Sequence, residues 1–218
     1  VLLTIDIGNT NIVLGTYQGE TLRASWRLST EASRMPDEYA ALLETLFKFS
    51  GGSLRDVRAV VLCSVVPALT ATFEELARSY CGCEAIVVGP GTRTGVKILY
   101  ENPREVGADR IANAVAAFHL YGGPAIVVDF GTATTFDALS ADGEYLGGAI
   151  APGLTIAADA LFQHAARLFR VELKRPTTAI GRNTGTSVQS GLIFGYVGLI
   201  EGLIARFHAE MGPAKVIA

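Results

Sequence analysis

Three aspartates stand where carboxylate chemistry could be done: Asp6, Asp109 and Asp129. Asp6 ends an apolar, β-branched run, Val1-Leu2-Leu3-Thr4-Ile5. Ile7-Gly8-Asn9-Thr10-Asn11 and a second apolar run, Ile12-Val13-Leu14-Gly15, follow it. This order predicts a β-hairpin whose tip sets one carboxylate beside a cluster of unencumbered backbone N–H groups. Such a tip suits a metal-bound phosphate, with the carboxylate taking Mg²⁺ or its waters and the turn amides meeting phosphate oxygens. Alone, the same residues would also serve as an ordinary hairpin in which Asp and Asn form the turn.

A second copy shifts the balance. Ala125-Ile126-Val127-Val128-Asp129-Phe130-Gly131-Thr132-Ala133-Thr134-Thr135-Phe136-Asp137 repeats the order of buried strand, Asp, apolar residue, Gly, small polar turn and strand. Asp129 answers to Asp6, Gly131 to Gly8 and Thr132 to Asn9. Later turns, Gln18-Gly19-Glu20 and Ala141-Asp142-Gly143-Glu144, fall at about the same distance from each Asp. The separation is too long for a solenoid period. It predicts a duplicated α/β half-molecule, residues 1–104 and 105–218, with two phosphate hairpins facing one nucleotide cleft.

Asp109 has a different setting. It follows Gly107-Ala108 and precedes Arg110, at the start of a helix with Ile111, Val115 and Phe118 on one face. An acid there stabilises the helix by capping or dipole, by about 0.5–2 kcal/mol. It could equally be a carboxylate beside a cation, placed to take a proton from a hydroxyl, and spacing alone leaves both readings open. His119, His164 and His208 have no nucleophile motif beside them and read as structural or solvated. Neither a Gly-rich loop ending in Gly-Lys-Ser/Thr nor a Gly-x-Ser-x-Gly elbow is present.

The elements that would carry these residues follow from periodicity and breakers. Thr21 to Leu28 alternates as a third strand, and Pro36-Asp37-Glu38 opens a helix with Tyr39, Leu42, Leu43, Leu46 and Phe47 on one face. Val57 to Cys63 is a buried strand. Pro67 begins a helix through Phe73 and Leu76, and Glu84 to Val88 is a strand closed by Gly89-Pro90-Gly91. In the second half, Tyr145 to Gly153 is a strand giving way to a glycine-bounded turn. Leu154 to Phe169 is a helix with Ile156, Ala160, Leu161 and Ala165 inward. Asn183 or Thr184 caps a long apolar helix to Phe207, whose Gly191, Gly195, Gly198 and Gly202 allow close approach of another backbone, within the chain or in a dimer. Lys215 to Ala218 starts a strand without its turn, which leads us to expect a longer natural chain.

Bulk composition excludes several classes. Half of the 218 residues are hydrophobic and 24 are glycine, which fits a compact α/β protein with many tight turns. The net charge of −3, without runs of Lys or Arg, argues against a nucleic-acid partner. No apolar run looks long enough for a membrane span, and the N-terminus lacks a signal-peptide pattern. Cys63, Cys81 and Cys83 have no framework spacing, and reduced thiols of a cytoplasmic protein are expected.

The set Asp6-Ile7-Gly8-Asn9-Thr10-Asn11, Gly107-Ala108-Asp109-Arg110, Asp129-Phe130-Gly131-Thr132-Ala133-Thr134 and Gly147-Gly148-Ala149-Ile150-Ala151-Pro152-Gly153 closely resembles the type III pantothenate kinase family. That family lies within the acetate kinase, sugar kinase and actin superfamily. The resemblance runs through essentially the whole chain. It implies two ribonuclease-H-like halves, each a mixed sheet with flanking helices, in a homodimer. It also implies ATP-dependent phosphorylation of pantothenate, with a monovalent cation, K⁺ or NH₄⁺, beside Mg²⁺. By position, Asp6, Ile7, Gly8, Asn9, Thr10, Asn11, Ile12 and Val13 resemble the first phosphate segment, and Gly131 and Thr132 an ATP contact. Tyr100, Gly107, Ala108, Asp109 and Arg110 resemble the pantothenate segment, with Asp109 the proton acceptor. Thr184 resembles a further substrate contact and Asp129 the monovalent-cation ligand. The family's glycine-containing adenine-side segment would lie past Ala218.

Two other readings share this fold. One is a non-catalytic nucleotide-binding regulator, against which the retention of Asp6, Asp109 and Asp129 argues. The other is a kinase of another small alcohol, since fold alone does not set the acceptor.

Overall fold

The computed structural model describes residues 1–89, 91–165 and 167–218. Pro90, part of the expected turn after Val88, lies outside the described residues. In chain order the elements are β1 (Leu2–Ile7), β2 (Asn11–Gln18), β3 (Thr21–Ser29), α1 (Pro36–Phe49), β4 (Ala59–Ser64), α2 (Pro67–Leu76) and β5 (Ala85–Val87). They continue with α3 (Ala108–Tyr121), β6 (Ala125–Phe130), β7 (Ala133–Leu139), β8 (Tyr145–Pro152), α4 (Leu154–His164), α5 (Thr184–Met211) and β9 (Lys215–Ile217). Contacts divide the chain into two units. Val1–Gly95 with Glu101–Asn113 forms the first, and Val96–Tyr100 with Ala114–Ala218 the second.

The first unit holds a five-stranded mixed sheet in the order β3-β2-β1-β4-β5. β1 is antiparallel to β2 and parallel to β4. Alternation along β1 sends Leu3, Ile5 and Ile7 into a core with Tyr39, Leu43, Leu69 and Phe73, all but wholly buried. Burying each such side chain contributes about 1.5–3 kcal/mol, so the register is strongly held. The same alternation turns Thr4 and Asp6 to the other face, and Asp6 is exposed at the strand's end.

The second unit repeats this plan with a four-stranded sheet, β8-β7-β6-β9. β6 is antiparallel to β7 and parallel to β9, as β1 is to β2 and β4. Ile126, Val128 and Phe136 form a core against Leu199, Ile200, Leu203, Ile204 and Phe207 of α5. The duplication expected from the paired hairpins, and the two ribonuclease-H-like halves that the resemblance implies, are therefore present, each a mixed sheet with helices.

Several boundaries differ from the sequence expectation. The helix expected over Leu154–Phe169 ends at His164, where Ala165 becomes extended. Leu168, beyond the helix, lines a groove with Leu161 and the first turns of α5. The inward face of α4 is also different. Ala158 is buried, whereas Ile156 and Leu161 are exposed. A π-helical turn, Ala77–Cys81, follows α2 and had no signature in the sequence. Finally, α5 has the length and mean hydropathy, 1.5, of a membrane span, contrary to the expectation that no segment would. Its N-terminal half is interrupted by Gln189, Ser190 and glycines but by no charge. Core helices pass the same test, and the C-terminal half of α5 packs on the second sheet.

Candidate active site

In the first unit the hairpin tip between β1 and β2 is tied by its own backbone. The Gly8 N–H donates to the Asn11 carbonyl at 2.9 Å, and a Cβ on Gly8 would stand 3.1 Å from that oxygen. Thr30, beyond β3, clamps the tip from the side. Its hydroxyl donates to the Gly8 carbonyl at 2.7 Å, and its N–H to the Thr10 carbonyl at 3.0 Å. Asn9, Thr10 and Asn11 are exposed, whereas Ile7 and Ile12 lie in the core and Val13 is half-buried. The apolar members of the segment hold the turn, and the polar members present it.

Asp6 is opposite Cys63 in the parallel β1/β4 register, so both side chains share one sheet face. The Cys63 thiol is buried and hydrogen-bonds Asp6. Burial, followed by the negative charges of Asp6 and Asp109, pushes this thiol far above its usual range. Asp6 thus touches the thiol, and Asp109 lies near enough for its charge to act on the same group.

Asp109 sits in the first turn of α3, with its Oδ1 accepting from the Arg110 N–H at 2.8 Å. A Cβ on Gly107 would collide with this carboxylate and lie 3.9 Å from Val65, just past β4. Glycine at 107 therefore lets the carboxylate fold over the helix entry. Ala108 and Arg110 are buried, and Asp109 is half-buried. The two readings of Asp109 are compatible, because an acid serving the helix N-terminus also acts electrostatically on the thiol that Asp6 bonds.

In the second unit Asp129 is exposed at the end of β6, as Asp6 is in β1. The Gly131 N–H donates to the Ala133 carbonyl at 3.0 Å, which closes the second tip. Gly153 presses on that tip. Its N–H donates to the Thr132 carbonyl at 3.0 Å, and a Cβ would run into the carbonyl oxygens of Gly131 and Thr132. Thr184, the first residue of α5 after its Asn183 cap, is placed elsewhere in this unit. It borders a groove of about 620 Å³ with Leu161, Leu168, Ser187, Val188, Gly191 and Leu192. Tyr100 is half-buried against Tyr145.

Sequence reasoning missed Cys63, Thr30 and Tyr145. Each acts through a partner distant in sequence, and only strand pairing could have found them. Among the described residues no group of three or more His, Cys, Asp or Glu side chains could hold a metal. Mg²⁺ usually binds through one or two carboxylates plus phosphates and water. An exposed Asp6 at the hairpin tip fits that mode of binding.

The profile of the type III pantothenate kinase family matches residues 2–206. A type III pantothenate kinase of Moorella thermoacetica is 54% identical over 217 residues, covering 100% of this chain and 85% of that protein. One from Anaeromyxobacter sp. is 56% identical over 219 residues, covering 100% and 86%. Among solved structures, a conserved Baf family transcriptional activator from Campylobacter jejuni is 21% identical with TM-score 0.57, over 92% of this chain and 78% of that one. A 2-dehydro-3-deoxygalactonokinase protein from Sinorhizobium meliloti is 12% identical with TM-score 0.54, over 99% and 90%. These two share the fold alone. With the family profile matched through both hairpins and the Asp109 segment, this chain belongs to the type III pantothenate kinase family.

Proposed function

We propose that this chain transfers the γ-phosphoryl group of ATP to the primary hydroxyl of pantothenate, the first step of coenzyme A biosynthesis, in the cytoplasm. The observation that carries the reading is that Asp6 and Asp109 both act on Cys63 within the first unit of a member of this family. Phosphoryl transfer needs little covalent chemistry from a protein. It needs donor and acceptor held in line and charge offset.

In this reading, residues Ile7 to Val13 present turn amides and polar side chains to phosphate oxygens, and Gly131 and Thr132 make a second ATP contact. Asp109 orients the acceptor hydroxyl and receives its proton. A carboxylate is a weak base toward an alcohol, so this capture comes late, after the P–O bond to the acceptor has begun to form. Arg110, Tyr100, Gly107, Ala108 and Thr184 order pantothenate. Asp6 would hold Mg²⁺, and Asp129 K⁺ or NH₄⁺. Cations held there would offset charge on the phosphates.

The same reading makes the protein a homodimer through the open side of α5. A Cβ at Gly191, Gly195, Gly198 or Gly202 would meet nothing within 4 Å, and only 11% of the helix's apolar window is buried in the chain. The close approach that these glycines permit is therefore left to a second copy.

A coupled assay of ADP release tests the function. It is run with pantothenate, with simple sugars and without acceptor, each with and without potassium. We expect release with pantothenate alone and stimulation by potassium. Equal release without acceptor would mark a nucleotide hydrolase, and release with sugars a kinase of another alcohol.

A further inference from the structure

Tyr145, wholly buried at the start of β8, holds three things at once. Its N–H donates to the Lys97 carbonyl and its own carbonyl accepts from the Leu99 N–H, both at 2.8 Å. Residues 97–99 are thereby laid parallel to β8 through Ile98. The ring of Tyr145 stands 6.3 Å from that of Tyr100, tilted by 58°. Its hydroxyl donates to Asp137 Oδ1 at 2.7 Å. Tyr100 also lies over Gly147, whose φ of +129° suits glycine and whose added Cβ would be 3.6 Å from the Tyr100 ring. Tyr145 and Gly147 of β8 thus bound the space around this ring within the second unit.

Asp137 is the unexpected member. It has no exposure, although it sits in β7, the strand between β6 and β8. A carboxylate wholly out of water costs stability unless its partners satisfy it, and an apolar residue would fill the same space without that cost. What the carboxylate adds is direction. Asp137 Oδ1 fixes the Tyr145 hydroxyl, and Thr135 approaches Oδ2 at 3.5 Å. A satisfied buried polar network specifies one arrangement more sharply than apolar packing does.

We propose that Asp137 and Tyr145 form a positioning pair that aims Tyr100 at the phosphoryl acceptor. The proposal rests on the reading of Tyr100 as a pantothenate contact. It gives the buried carboxylate a role in acceptor affinity and none in the chemical step.

Steady-state kinetics of Tyr100→Ala, Tyr145→Phe, Asp137→Asn and the double variant Tyr100→Ala/Tyr145→Phe test it, beside melting temperatures. Tyr145→Phe should raise KM for pantothenate about 5–20-fold while KM for ATP stays within about twofold. Asp137→Asn, which keeps a carbonyl acceptor for the Tyr145 hydroxyl, should raise it less than about threefold. The double variant should match Tyr100→Ala within about twofold, because Tyr145 acts through Tyr100. An unchanged pantothenate KM in Tyr100→Ala would contradict the acceptor reading of Tyr100 itself. A raised KM there, with none in Tyr145→Phe, would overturn the pair alone. Equal rises for both substrates, or effects that multiply in the double variant, would also overturn it. Should Tyr145→Phe not fold, Asp137→Ala is read in its place, and failure of both to fold would make the pair structural only.

Discussion

Asp109 is where the account can be tested at the level of one atom. Asp109→Asn keeps the side chain's shape and the hydrogen bond from the Arg110 N–H but removes the proton acceptor. Turnover should fall about 10²–10⁴-fold with ATP affinity nearly unchanged, measured by kcat and by nucleotide titration. Retained turnover would assign the proton to another group. A second residue-scale prediction concerns Cys81, whose thiol is raised from the ordinary 9.0 to about 11, by burial first and then by Cys83. Between these values the unfolded chain loses this proton and the folded chain keeps it, so stability falls as pH rises. The stability advantage of wild type over Cys81→Ala should therefore shrink by about 2 kcal/mol between pH 8 and 10.5 in denaturant titrations. A constant gap would contradict it. At this scale the carboxylates were legible, because each ends an apolar run or opens a helix. Cys63 was not, since its meeting with Asp6 depends on a parallel register between strands more than fifty residues apart.

The elements were legible where local signals agree. Pro36 and Pro67 open α1 and α2 as expected, and Asn183 caps α5 by accepting from the Thr186 N–H at 2.9 Å. They were not legible at the end of α4, where Leu168 lies outside the helix and lines the groove beside α5. The second hairpin depends on a close backbone contact, the turn at Gly153. Gly153→Ala must push either the tip at Gly131 and Thr132 or the start of α4 aside, and both are backbone. We expect a lowered melting temperature and a raised KM for ATP. By contrast Gly191→Ala, where a Cβ meets nothing within 4 Å, should leave the fold unchanged. Equal melting temperatures for wild type and Gly153→Ala would remove the contact from the account.

At the scale of the molecule, duplication was the most legible feature, because two sheets of matching order repeat the same hairpin. The exposed side of α5 was not, since it reads in sequence like a core helix or a membrane span. The absence of a phosphate-loop lysine also sets a global property. In the proposed reading turn amides and polar side chains hold the phosphates, so ATP binding should be weak, and calorimetry should give a dissociation constant well above micromolar. A sub-micromolar value would point to contacts not foreseen. The central claim is the reaction itself. Phosphorus NMR of the protein with ATP, Mg²⁺, K⁺ and pantothenate should show one new phosphomonoester growing in step with ADP, and growing about 10²–10⁴-fold more slowly with Asp109→Asn. Inorganic phosphate appearing in place of that ester would contradict it.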